Sequence, residues 1–376
     1  MSRSKVLAAV LAPALCAVCV SACRRDGDET RIGSSPAQSS GSRSGARHAG
    51  EGPGFRLLKL AREVGAIEAE AGAASTVDAG AAVVLDAGAL LAPDAAVQPP
   101  EAPPVDIVAA AAWSIYGLEA GVSLSEAELW DRLAASPALC FGEYHDVPAH
   151  HYAEARALAE LAARAHAAES ILGVGFEMFQ RPFQAPLSAF VAGELGEADF
   201  LAQTQYVTRW GYDFAFYRPL VEGARDLGLP ALALNARAEL TRKIGRTGLS
   251  SLSAEELAEL PELDLQNAEH RAFIFGLFGI LPEHAAEFGL ENVYVAQTTW
   301  DETMADTSAR WLSSTGDQAR LLIFAGGAHC HRSAIPARIT RRTAQPATSV
   351  HAVFESELAD GSFTPEGYDV LVVLDD

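Results

Sequence analysis

The sequence predicts an α/β domain with a mostly parallel sheet flanked by helices, preceded by a signal peptide and a disordered tether. From residue 105 onward, short apolar runs alternate with longer amphipathic stretches, which is typical of buried parallel strands joined by helices. Before that point the chain is rich in Ala, Gly, Ser and Pro, and its first residues are basic and then apolar. These observations divide the chain into residues 1–22, 23–104 and 105–376.

The apolar runs are predicted to be the strands of the sheet. They are residues 138–142, 172–176, 231–234, 321–325, 351–354 and 370–374. The helical stretches between them are residues 151–167, 183–194, 217–227, 268–278 and 299–314. Because no strand-like run occurs at about residues 240–290, we expect a helical insertion there within one domain.

The N-terminus has the pattern of a bacterial lipoprotein signal. A basic segment of residues 1–5 precedes the apolar residues 6–20, which are too few for a comfortable membrane span and typical of a signal peptide. Small residues precede Cys23, whose thiol would receive lipid after cleavage behind Ala22. We therefore expect lipid anchoring at the outer membrane or in the periplasm; a secreted protein cut after Ala22 is the alternative.

Residues 23–104 are predicted to be a tether, with a short helix around residues 55–71. Their composition buries too little apolar surface to offset the entropy of ordering. Beyond the tether the cysteines are Cys140 and Cys330. An oxidising compartment permits a disulfide between them, and two buried free thiols are the alternative.

The charge of the chain argues against one class of partner. The formal net charge is −21, whereas binding to nucleic acid needs clustered Lys and Arg to neutralise phosphates. We expect no nucleic-acid partner.

Polar residues follow several predicted strands at the edge where ligands of open α/β sheets bind. They are Glu143 and His145 after the first strand, Glu177 after the second, Asn235 and Arg237 after the third, and His329 after the fourth. If these strands are neighbours, Glu143, His145, Glu177 and His329 converge. Two histidines and two carboxylates suit a divalent metal ion, or general acid–base work on water.

The other histidines of this region are expected to be less important. His150 and His151 begin a helix behind Pro148 and point about 100° apart, so we expect one to face the edge of the sheet and the other solvent. Tyr144 either faces the site or packs behind it, and tyrosinate is a known haem ligand. We expect ordinary surface or core roles for His166, His270, His284 and His351.

The motifs GEYHD, EMFQRPFQ, WGYDFAFYRPLVEGAR, NAR, AQTTWDETMA and AGGAH together resemble the ChaN-like haem-binding lipoproteins. This family is part of the Tiki-like superfamily, which includes erythromycin esterases. The resemblance covers about residues 114–342 and implies a parallel α/β fold with a role in haem or iron acquisition. By matching motif it assigns the polar site to Glu143, His145, Glu177 and His329, surrounded by Asn235, Asp301 and Arg218. The long tether departs from the family pattern.

Three functions are compatible with these residues. The favoured one is a lipoprotein that binds haem at the strand ends, although no motif assigns the axial ligand. The ligand candidates are Tyr144, His145, His150, His151 and His329, with Arg218 and Arg237 for the propionates. An apolar slot for haem is expected from Tyr144, Met178, Phe179, Trp210, Phe214 or Trp300. An outer-membrane haem receptor and a homodimer that shares haem are the partners this function would bring.

The alternative function is a metal-dependent hydrolase of the esterase or peptidase type. It would use Glu143 or His145 to activate water, Glu177 to assist, and His329 to bind a metal or stabilise charge. The third function is a surface or scaffold protein whose polar site is vestigial. Whether the chain is an enzyme stays open at this stage, and the haem resemblance favours binding over catalysis.

Overall fold

A computed structural model describes residues 113–376 of the chain. The predictions for the signal peptide, the tether and lipidation of Cys23 lie outside the described residues. No helix in the described part is long and apolar enough to cross a membrane.

The strands form one eight-stranded sheet in the order β2-β1-β8-β7-β3-β6-β4-β5. They are β1 (Ile115–Glu119), β2 (Val122–Leu124), β3 (Ala138–Glu143), β4 (Ile171–Gln180), β5 (Ala231–Asn235), β6 (Ala319–Gly326), β7 (Ala347–Phe354) and β8 (Val370–Leu374). Strands β3 to β8 pair in parallel, whereas β1 pairs antiparallel with β2 and β8. The six predicted strands and the mostly parallel α/β class are confirmed.

The hairpin of β1 and β2 was not predicted. It is at the edge of the sheet, and β2 is largely exposed. Because an edge strand with one solvated side needs no continuous apolar run, the hairpin lacks the pattern by which the buried strands were recognised.

Helices cover both faces of the sheet. In the described residues they are α1 (Glu126–Ala134), α2 (Pro148–Ala167), α3 (Gln184–Val191), α4 (Glu197–Gln203), α5 (Tyr206–Arg209), α6 (Phe214–Asp226), α7 (Ala238–Thr247), α8 (Ala254–Ala258), α9 (Ala268–Gly276), α10 (Glu291–Thr315), α11 (Gly327–Cys330), α12 (Ile335–Thr343) and α13 (Glu355–Ala359). Short 3-10 turns lie at Arg181–Phe183, Leu249–Ser251 and Pro282–Phe288. Residues 240–290 contain helices and turns but no strand, as predicted.

The central strand β3 contributes to a separate core on each face. Phe141 packs with α2 and α6 on one side, while Cys140 packs with α10 and α12 on the other. This alternation follows from the two-residue period of a strand. Both faces of β3 are therefore buried, and its one charged residue, Glu143, lies at its carboxyl end.

Cys140 and Cys330 form a disulfide with Cα atoms 5.1 Å apart. The sequence left this pairing open. The bond joins β3 to α11, the short helix that carries His329.

Candidate functional site

The carboxyl ends of β3, β6 and β4 bring the four predicted polar residues together. Glu143 lies beside Gly326 in the register of β3 and β6, and the Gly326 N–H donates to Glu177 Oε2 at 2.7 Å. A Cβ on Gly326 would lie 2.9 Å from the His145 ring, so this glycine permits the close approach of His145. His329 follows directly on α11, and all four side chains are buried.

Glu143 holds His145 in place. Its Oε1 lies 2.7 Å from His145 Nδ1 and accepts a hydrogen bond of 2.9 Å from the Tyr217 hydroxyl. Burial alone would raise the pKa of Glu143, but His151 and His145 hold that pKa well below its usual range. Glu143 is therefore ionised. Its contact with Nδ1 fixes the orientation of the His145 ring.

His151 belongs to the same buried cluster, contrary to the prediction that one of the two adjacent histidines faces solvent. Its Nδ1 lies 2.9 Å from Glu143 Oε2 and 2.9 Å from Glu154 Oε2. His150 is equally buried, on the opposite side, among Tyr144, His351 and other rings. The prediction failed because other parts of the protein cover α2 on both sides. The side chains of His150 and His151 point about 100° apart, and both are buried.

Glu154 is an acid that sequence reasoning missed. Burial and the neighbouring charge of Glu143 raise the pKa of Glu154 to about 8. Its position three residues after His151 places both side chains on one face of α2, a signal present in the sequence. What the sequence did not reveal is that this face meets Glu143.

His329 is held between two carboxylates. Its Nε2 lies 3.1 Å from Glu177 Oε1, and its Nδ1 lies 2.6 Å from Asp301 Oδ1. Burial would lower the pKa of His329, but Glu177 and Asp301 raise that pKa well above its usual value. Asp301 therefore contacts His329 directly. The resemblance had placed Asp301 only among the residues that surround the site.

His270 extends this chain of contacts, although it was predicted to be ordinary. Its Nε2 lies 2.9 Å from Asp301 Oδ2, and its Nδ1 lies 3.1 Å from Arg338 Nη2. Because arginine only donates, His270 Nδ1 accepts and Nε2 carries the proton towards Asp301. The helical insertion thus supports the site through α9. The sequence held no signal for this contact, which joins distant elements.

Three other predicted residues have partners of their own. Arg218 pairs with Glu197 at 2.8 Å, Arg237 pairs with Glu259 at 2.8 Å, and Asn235 Oδ1 accepts from the Ala236 N–H. Both arginines are about one-third exposed. Neither makes its ion pair with the four polar residues.

Tyr144 points away from His145. Its ring stacks on His150 at 5.1 Å and meets His351 edge-on at 5.3 Å. Burial lowers the pKa of His150 well below its usual value and that of His351 to about 4, so both rings are neutral at pH 7. Tyr144 itself is only half-buried.

The apolar side chains expected to form a slot for haem are mostly core residues. Met178, Phe179, Phe214 and Trp300 are buried, so the expectation was wrong for these four. Trp210 is partly exposed and lies 4.8 Å from the His145 ring, as does Tyr212. The aromatic surface beside the site is therefore formed mainly by residues 210–212.

The donor atoms of the site fall into two groups. Among the residues that the structure describes, Glu143, His151 and Glu154 offer metal-ligand atoms within 4.8 Å of one another. Glu177 and His329 instead pair with each other and with Asp301. The predicted metal set of Glu143, His145, Glu177 and His329 is thus close together but divided between two hydrogen-bonded groups.

Buried glutamates and histidines thus lie at the strand ends of a mostly parallel α/β sheet. A family model described as haem-binding uptake, Tiki superfamily, ChaN matches residues 129–339. The chain belongs to this ChaN family.

Several solved structures are similar to this chain at low sequence identity. A structure of ChaN from Campylobacter jejuni, described as binding haem cofacially, is 17% identical, with a TM-score of 0.51 over 70% of this chain and 97% of that one. The RRSP toxin effector domain of Vibrio vulnificus is 16% identical, with a TM-score of 0.33 over 66% and 37%. The erythromycin esterase EreC is 10% identical, with a TM-score of 0.38 over 67% and 79%. None of the curated proteins is similar enough to count as a match.

Proposed function

We propose that this chain is a lipid-anchored haem-binding protein of bacterial haem or iron acquisition, with haem held at the strand-end edge. Membership of the haem-binding ChaN family supports the proposal that the chain binds haem. The observation that carries the placement is Tyr144, which leaves β3 at that edge and is half-buried.

Tyr144 is the axial ligand in this proposal. Tyrosinate binds haem iron in known proteins, and among the described residues the Tyr144 hydroxyl makes no hydrogen bond. Burial raises the pKa of Tyr144, so ligation must displace its proton. The other candidates fit less well: His150 and His329 are buried, and His145 is held by Glu143.

Replacement of Tyr144 by Phe is expected to weaken haemin binding at least about tenfold, or about 1.4 kcal/mol, and to shift the Soret band. The change removes only the oxygen that would bind iron. Tyr152→Phe is the matched control, because Tyr152 lies on α2 against Trp113. Identical haemin titrations of wild type and Tyr144→Phe would contradict the assignment.

The lipid anchor is the second part of the proposal. The signal pattern before Cys23 supports it, and the Cys140–Cys330 disulfide fits an exported protein because such bonds persist in oxidising compartments. An outer-membrane receptor and a homodimer that shares haem remain expectations of this role.

Mass spectrometry of the protein from its native membrane is expected to find acylated Cys23 at the N-terminus. Cys23→Ser should move the protein from the membrane to the soluble fraction, while Cys140 and Cys330 stay paired. A mature chain that begins at an unmodified Cys23, or that retains residues 1–22, would contradict the anchor.

A hydrolase is the second candidate function. Two buried acid–histidine pairs, Glu143–His145 and Glu177–His329, lie on either side of Gly326. Haem ligation needs only one or two side chains, whereas acid–base chemistry uses groups of this kind. Turnover of an ester or peptide that is lost in Glu177→Gln would favour this function.

A further inference from the structure

We propose that Glu143, His151 and Glu154 form a binding site for one divalent transition-metal ion of the Zn²⁺ type, beneath the strand-end edge. This site differs from the set of Glu143, His145, Glu177 and His329 and does not depend on haem binding.

The three donors come from two elements that hold them rigidly. His151 and Glu154 project from one face of α2, and Glu143 meets them from the end of β3. Helices in metal-binding bundles use the same separation of three residues between a carboxylate and a histidine. The donor atoms lie within 4.8 Å of one another. Small side-chain shifts would give the roughly 2.0–2.2 Å ligand distances of Zn²⁺.

The hydrogen bonding of His151 favours a cation beside its Nδ1. Its Nε2 lies 3.1 Å from the backbone oxygen of His145, which can only accept, so Nε2 carries a proton. Its Nδ1 lies 2.9 Å from Glu143 Oε2 and 2.9 Å from Glu154 Oε2, so a proton occupies this position when no metal is bound. A cation that displaced this proton would meet the Nδ1 lone pair and both carboxylates. A metal-bound histidine typically donates its other N–H to a backbone carbonyl in this way.

Two buried oxygens lack hydrogen bonds at this point. Glu143 Oε2 and Glu154 Oε1 have no hydrogen-bond partner, although Glu143 Oε2 makes its ion-pair contact with His151. Glu143 Oε1 is already used by Tyr217 and His145. Buried carboxylate oxygens without partners are costly, and a bound cation would satisfy both.

The charge of the cluster matches a dication. Once a metal ion has displaced the protons of the cluster, two carboxylates and one neutral imidazole carry a charge of minus two, which a divalent ion cancels. The Phe216 and Tyr217 rings pack against His151 at 4.9 Å and exclude water, so an uncompensated charge here would be expensive. Imidazole is a good ligand for Zn²⁺ and Fe²⁺, whereas Ca²⁺ and Mg²⁺ prefer oxygen ligands.

The ion would also act on the strand-end site through Glu143. With Oε2 bound to the metal, Oε1 would still accept from Tyr217 and orient His145. Glu177 is not a ligand of the proposed metal site, because its carboxylate contacts His329 and the Gly326 N–H instead.

The test is a Zn²⁺ titration of untagged, haem-free full-length protein after treatment with a chelator. Wild type is expected to bind one Zn²⁺ per chain. Glu154→Gln keeps the shape of the side chain and is expected to lower the affinity at least about a hundredfold. Glu177→Gln is the matched control, an equally buried change in the other group, and should leave Zn²⁺ binding unchanged.

Thermal unfolding and Co²⁺ absorption complete the experiment. Metal-free Glu154→Gln should unfold at or above the temperature of metal-free wild type, and only wild type and Glu177→Gln should show Co²⁺ bands of low-coordinate N and O ligation. The proposal is overturned if wild type binds no Zn²⁺, if Glu154→Gln binds it as tightly as wild type, or if Glu177→Gln loses it. If Glu154→Gln does not fold, the Co²⁺ spectra of wild type and Glu177→Gln decide.

Discussion

Loss of the Cys140–Cys330 disulfide is expected to lower the free energy of unfolding by about 5 kcal/mol. The bond closes a loop across a sequence separation of 190 residues, and stabilisation by such a cross-link grows with the logarithm of loop length. Both sulfur atoms lie in the core between β3 and the helices on one face, so the broken bond would also loosen α11 and His329.

Urea unfolding of wild type, with and without reductant, measures this effect. The double variant Cys140→Ala, Cys330→Ala should unfold near reduced wild type and should not respond to reductant. Equal midpoints for oxidised and reduced wild type would contradict the expected stabilisation.

Replacement of Asp301 by Asn is expected to cost about 3–5 kcal/mol of folding free energy, the range for breaking a buried ion pair from one side. Asp301 is fully buried and contacts both His329 and His270. The amide keeps only one oxygen, so it can accept from only one of the two histidines, and Glu177 is then the one carboxylate left in contact with His329. The pKa of His329 should fall, because one of the two carboxylates that raise it is gone.

Glu291→Gln is the control for this change, because Glu291 lies on the same helix in a partly exposed pair with Arg271. Surface pairs contribute about 0–1 kcal/mol, so this variant should unfold close to wild type. Chemical unfolding and histidine NMR titration measure the two effects. A loss below about 1 kcal/mol in Asp301→Asn, within that surface range, would show that the His329–Asp301–His270 chain contributes little to the fold.

The fold was predictable from the sequence wherever strands are buried on both faces. Residues 321–325 and 370–374 form such strands, and their apolar runs require no tertiary information. The hairpin of β1 and β2 was missed because half-exposed edge strands carry no continuous apolar run.

The residues of the site that come at or directly after the ends of strands could be predicted from the sequence. Glu143, His145, Glu177 and His329 were found because parallel strands end at one edge of the sheet. His151 was misplaced, because the helical period gives its direction but not what covers the helix. His270 could not have been found, since its contact with Asp301 depends on how the insertion packs.

Haemin titration of the purified wild-type protein is the decisive test of the proposed haem binding at the strand-end edge. We expect a saturable Soret shift that is weakened in Tyr144→Phe and retained in Tyr152→Phe. Absence of any Soret shift, together with ester or peptide turnover that Glu177→Gln abolishes, would contradict it and leave the hydrolase.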